Sequence, residues 1–158
     1  GLTSGTIPMG AVLVKKEIYD AFQEGDVKAI DLFHGYTYSA HPIAAAALIA
    51  TLDVYSEDNL FESTNDLASY WEDALHSLKG TSHVIDIRNL GLVAGIEMSP
   101  REGSPGTRGY DVFTDGFHNH NLLLRITGDT LALSPPLIME KDHIDRIVDI
   151  LKKIIPTH

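Results

Sequence analysis

Cysteine is absent, so the sequence holds no disulfide framework, no thiolate nucleophile and no cysteine-ligated zinc. That fits a reducing compartment, and the cytoplasm is the expected location. Long apolar runs are missing too. None approaches the ~20 residues that span a bilayer, and the opening residues carry neither a basic n-region nor a signal cleavage pattern. Basic residues are scarce: 12 Lys and Arg against 22 Asp and Glu give a formal charge of -10. They are scattered rather than gathered into a stripe, so binding to a nucleic-acid backbone has little support. No Gly-x-Ser-x-Gly elbow marks a hydrolase, no carboxylate pair marks a glycosidase, and there is no repeat or low-complexity tract. With 44% hydrophobic residues, a 158-residue globular chain can bury a real core, and size alone predicts one domain.

Apolar periodicity divides the chain more finely. Residues 11–14 are a short apolar run, and Ile18 and Phe22 follow at helical spacing, which predicts a strand and then a helix. Gly25, Asp26 and the mixed segment to Phe33 read as a loop. Residues 42–55 are rich in Ala, Leu and Ile with almost no charge. Pro42 suits a first helical turn, and a helix apolar on nearly every face is expected to be buried. Residues 63–78 are amphipathic instead: Leu67, Tyr70, Trp71, Ala74, Leu75 and Leu78 share one face, Asp66, Glu72 and Asp73 the other, and Gly80 is a stop.

Beyond that helix, residues 84–88 and 92–98 are β-rich and separated by Asn89-Leu90-Gly91, which predicts an antiparallel pair. Residues 99–108 read as a Gly/Pro-rich loop and 110–120 as weakly helical. Residues 122–125 and 130–133 form a second predicted strand pair around Gly128-Asp129. Residues 142–155 form an amphipathic helix with Ile144, Ile147, Val148, Leu151 and Ile154 as its buried stripe. The order from residue 63 onward makes a small α+β layer. The first sixty residues read differently, as the last strand and helix of a larger α/β sheet followed by a long helix. The expected domains are therefore 1–60 and 61–158.

Four stretches say more than their periodicity. They are Gly1-Leu2-Thr3-Ser4-Gly5-Thr6-Ile7-Pro8-Met9-Gly10-Ala11-Val12; His34-Gly35-Tyr36-Thr37-Tyr38-Ser39-Ala40-His41-Pro42; Ile87-Arg88-Asn89-Leu90-Gly91-Leu92-Val93-Ala94-Gly95-Ile96-Glu97; and Leu124-Arg125-Ile126-Thr127-Gly128-Asp129-Thr130-Leu131. In order and spacing they resemble the C-terminal half of a fold-type I, class III pyridoxal-phosphate aminotransferase of the omega-amino acid:pyruvate branch. The resemblance covers essentially the whole chain. It implies a homodimer with shared active sites, pyridoxal 5'-phosphate as cofactor, and transfer of an amino group from an omega-amino acid or amine to a keto acid such as pyruvate. It places the cofactor-bonding lysine one position before Gly1, and the aspartate and stacking aromatic further upstream. No catalytic residue is therefore expected within the chain. Its opening reads as that of a cut chain, left by a protease or by a modified residue just before Gly1, and the chain alone is expected to be inactive.

By the same resemblance Thr37 is the cofactor-binding residue, reaching the phosphate held by the neighbouring subunit, and Arg125 is the substrate-binding residue, gripping a carboxylate. Both fit the chemistry. A hydroxyl and backbone amides near the start of a helix are neutral donors in a field that favours a dianion. A guanidinium meets two carboxylate oxygens with two parallel N–H groups, and Leu122-Leu123-Leu124 ahead of it read as a buried strand. The plainer alternatives are that Thr37 and Ser39 merely cap the following helix, and that Arg125 merely pairs with Asp129 across the turn. Met9 and Tyr36 are pocket-lining candidates by position, but packing residues by type. His118-x-His120 lacks a third ligand nearby and reads as a polar turn, so no metal is expected. Two other functions stay open: an aminomutase or racemase of the same fold, and a non-catalytic fragment without the lysine.

Overall fold

The computed structural model describes residues 1–28 and 34–158, so the end of the predicted 25–33 loop lies outside the described residues. Two compact units are present, Gly1–Asp58 and Asn59–His158.

The first unit opens on a tight turn closed by its own side chain. Buried Thr3 donates its hydroxyl to the Ile7 carbonyl, and the same oxygen accepts the Ile7 amide at 3.2 Å. Ser4 and Gly5 take positive φ, 49° and 78°, to make the bend. Residues 11–14 form no strand, contrary to expectation. A strand needs a neighbour for its amides and carbonyls, and the unit offers none among the described residues; Val12 and Leu13 stand 89% and 92% exposed. The helix expected after them is α1, Lys16–Ala21.

Helix α2, Pro42–Glu57, forms over the predicted stretch with Pro in its first turn. It is not the buried helix expected from its composition. Ala44 alone is buried, while Ile43, Ile49 and Leu52 are each more than half exposed. An all-round apolar helix needs surfaces to lie against, and among the described residues its own unit supplies only a short helix and loops.

The second unit supplies both surfaces of a core. It runs α3 (Leu60–His76), β1 (Val84–Leu90), β2 (Val93–Met98), α4 (Thr107–His120), β3 (Arg125–Thr127), β4 (Thr130–Leu133) and α5 (Lys141–Ile154). The strands make one antiparallel sheet in the order β1-β2-β4-β3. Alternation sends Ala94, Ile96 and Met98 of β2 and Leu131 and Leu133 of β4 to the same face, and the register sets Ile96 opposite Leu131. Against them lie Trp71, Leu75 and Leu78 from the α3 region, Val112 from α4, and Ile144, Val148, Leu151 and Ile154 from α5. The predicted α5 stripe is thus the core face, with Ile147 half-buried at its edge. Glu140 and His143 form a capping box at its start, the Glu140 amide donating to His143 Nδ1 at 3.1 Å.

Two further expectations need correction. Residues 122–124 do not belong to the strand that contains Arg125. Asn121 bends left-handed at φ 53°, and the Leu122 amide turns back to the Gly116 carbonyl at 2.8 Å, so it serves the end of α4 and not a ladder. Helix α4 also begins inside the predicted loop, at Thr107, because a carboxylate from another part of the chain holds its first turn.

Candidate functional site

Arg125 opens β3, one of the two edge strands of the sheet, opposite Ala132 of β4. Across the sheet this row continues through Gly95 to Arg88, on the face away from the helices. Arg125 is exposed, although the leucines before it read as a buried strand: Leu124 is 6% exposed and Leu122 packs half-buried against the core, while Leu123 stands 74% exposed. The ion pair with Asp129 does not form. Asp129 points the other way, its carboxylate accepting the Gly106 amide at 2.6 Å and the Gly109 amide at 2.9 Å.

Three of the unit's other arginines are engaged, while Arg146 on α5, like Arg125, has no ion pair among the described residues. Arg88 bridges Asp86 and Glu97, which raise its pKa further through their hydrogen bonds. Arg101 pairs with Asp111 and with the His158 carbonyl. Buried Arg108 donates Nε to the Ser99 carbonyl at 2.7 Å. Arg125 has no ion pair among the described residues. It lies on a pocket of about 420 Å³ walled by Trp71, Leu122, Leu124, Leu133, Pro135 and Ile147. The Trp71 indole N–H in that wall is buried with no hydrogen-bond partner among the described residues. A largely apolar wall with an exposed arginine among its lining residues is suited to a carboxylate on a carbon stem.

Thr37 belongs to the other unit. It is exposed in a turn closed by the Ser39 amide on the Tyr36 carbonyl at 2.9 Å, just before α2. Neither Thr37 nor Ser39 caps that helix: the N-cap position is His41, and no side chain bonds to it. The Thr37 hydroxyl is therefore free to donate elsewhere. Residues 34–45 contain no acidic side chain, and the sixteen-residue α2 directs its positive end and unpaired first amides toward this turn. Tyr36 is exposed and meets the His34 ring edge-on at 5.0 Å; Met9 is half-buried in a loop. His118 and His120 lie in the last turn of α4, not in a polar turn beyond it. His118 packs on Phe117, and His120 faces Asp115 at 3.8 Å.

The Aminotransferase class-III family model matches residues 1–155. The chain belongs to the class III aminotransferases. It is 55% identical over 155 residues to an omega-aminotransferase of Caulobacter vibrioides, covering 98% of this chain and 35% of that protein. It is 42% identical to the beta-alanine--pyruvate aminotransferase of Pseudomonas aeruginosa, over 94% of this chain and 33% of the other. Among solved structures, adenosylmethionine-8-amino-7-oxononanoate aminotransferase from Methanocaldococcus jannaschii superposes with a TM-score of 0.89 at 29% identity, over 99% of this chain and 37% of that one. The chain thus spans about a third of the length of the relatives it matches.

Within this class III chain, sequence reading missed the far wall of the Arg125 pocket, Ser134-Pro135-Pro136, and the placement of Trp71 there. It also missed the role of Asp129. The readable signal for Asp129 was the pair Gly106 and Gly109, three residues apart at the end of a loop, whose amides lie open to a distant acceptor.

Proposed function

We propose that the parent protein of this chain is a pyridoxal-phosphate-dependent aminotransferase. It moves an amino group from an amine or omega-amino acid to a keto acid such as pyruvate, and this chain supplies the anion-binding side of the site. Arg125 carries the reading: an arginine without an ion pair among the described residues that lines a largely apolar pocket, in a chain whose relatives are named omega-aminotransferase and beta-alanine--pyruvate aminotransferase. In this role Arg125 binds the carboxylate of the amino acid or keto acid through paired N–H donors, and the leucine and proline wall takes the carbon stem behind it.

Pyridoxal phosphate fits the donor set around Thr37. Its phosphate asks for neutral or positive donors without a competing carboxylate, and Thr37 with the free α2 amides meets that need. When bound, the cofactor supplies the electron sink for the transfer. Thr37 donates its hydroxyl to the phosphate of the cofactor in the neighbouring subunit, so the functional unit is a homodimer. The exposed apolar residues of α2, Ile43, Ile49 and Leu52, support a covering surface of that kind. Residues 1–60 are then the end of the large domain with its linking helix, and 61–158 the small C-terminal domain. The proton-carrying lysine precedes Gly1 in this reading, next to the turn that Thr3 closes on Ile7.

The test uses the full-length parent. An amine donor with pyruvate should yield alanine, and isomerised donor without alanine would replace this reading with a mutase. Thr37→Ala should raise the cofactor dissociation constant about tenfold, read by titrating the apoenzyme, as loss of one hydrogen bond to a charged group implies.

A further inference from the structure

Arg125 sits on a strand of only three residues at the edge of the sheet, a weak platform for a residue that must present two N–H groups at a fixed angle. The strand is held at both ends by the same helix. At the far end, the β3–β4 turn is a two-residue hairpin with Gly128 at φ 59° in its first central position. Asp129, its second residue, clamps the start of α4 through the Gly106 and Gly109 amides, and its carbonyl accepts the Met98 amide at 3.0 Å. Gly109 has to lack a side chain here, because a Cβ would overlap the Gly128 carbonyl oxygen. At the near end, the Leu122 amide bonds to the Gly116 carbonyl at 2.8 Å. A Cβ at Gly116 would lie 3.2 Å from the Leu122 carbonyl oxygen and 3.5 Å from the Leu124 side chain, the residue immediately before Arg125.

Resting on the reading of Arg125 as the carboxylate-binding residue, we propose that α4 braces β3 at these two points, with Asp129 and Gly116 as positioning residues that set the aim of the Arg125 guanidinium. Neither touches substrate. Their work is selective: loss of either degrades binding of carboxylate-bearing substrates more than turnover of substrates without one, because only the former depend on where the guanidinium points.

The experiment is run on the full-length holoenzyme with two amino acceptors, pyruvate and a simple aldehyde without a carboxylate. The readout is the ratio of their kcat/KM values, which cancels differences in active fraction. Arg125→Ala should lower that ratio by a hundredfold or so, Asp129→Ala by about tenfold and Gly116→Ala by about threefold. Asp129→Asn keeps one acceptor oxygen and should recover part of the loss. Hydrogen exchange at residues 122–127 should quicken in Asp129→Ala and Gly116→Ala while β1 stays protected. An unchanged ratio in Asp129→Ala and Gly116→Ala, with Arg125→Ala reducing it, overturns the brace and leaves the Arg125 reading standing. An unchanged ratio in Arg125→Ala removes the reading beneath it. Should Asp129→Ala give no active enzyme, Asp129→Asn and Gly116→Ala decide by the same ratio.

Discussion

Asn59–His158 buries Trp71, Leu75, Ile96, Leu131, Ile144 and Leu151 completely, whereas among the described residues of Gly1–Asp58 only Thr3 and Ala44 are buried. The contrast is not one of composition, since α2 is among the most apolar stretches of the chain. It lies in whether facing surfaces exist. In the second unit a sheet face and three helices close on each other, each burying what the others expose. Among its described residues the first unit has helices and a side-chain-locked turn but no second layer, so its described apolar residues remain at the surface.

The sharpest way to break this comparison is to separate the units. A polypeptide of residues 59–158 should melt in one cooperative transition by circular dichroism, and one of residues 1–58 should show none; cooperative melting of the latter would mean that it holds a core of its own. Next in size are paired truncations in the whole chain. Leu131→Ala should cost about 2–5 kcal/mol by denaturant titration, through the cavity left beside Ile96. Ile49→Ala, on the exposed face of α2, should stay within about 0.5 kcal/mol. Equal losses would show α2 covered in solution.

The smallest effect concerns pH. Asp115 titrates below the ordinary carboxylate range, chiefly because the Asn119 amide donates to it at 2.7 Å, and further because His158 at 3.0 Å and His120 at 3.8 Å face it. A carboxyl whose folded pKa is depressed adds stability that is fully present above its unfolded value, near ~3.9, and is lost as pH falls through the folded one. Asp115→Asn should therefore lower the melting temperature at pH 7, by less than about 1 kcal/mol in free energy, with the gap closing toward pH 2. A gap that widens in acid would refute the sign.

Periodicity made the second unit legible because its elements are amphipathic and local. The α5 stripe, the β1–β2 pair about Gly91 and the β4 strand at residues 130–133 all emerge from spacing and turn chemistry. The same signal misled where apolar content had two possible causes. Residues 42–55 read as buried, although periodicity reports no neighbour, and Leu122-Leu123-Leu124 read as a strand until the Gly116 carbonyl took the Leu122 amide. Thr37 and Arg125 were singled out by resemblance, with residue types that suit anion binding, and the structure leaves each without the plainer partner first weighed for it. The bond from Asp129 to Gly109 spans twenty residues of sequence, and no window of local pattern contains both ends.

Such a contact also has a history written into it. With the Gly128 carbonyl occupying the space where a Cβ at position 109 would sit, a side chain cannot be gained there without the hairpin first giving way. The route through sequence space is thereby ordered: a longer or shifted turn between β3 and β4 has to arise before Gly109 can change. A mutational library of the parent enzyme would find substitutions at 109 only in company with compensating ones near 128 and 129, so these separated codons behave as a single locus.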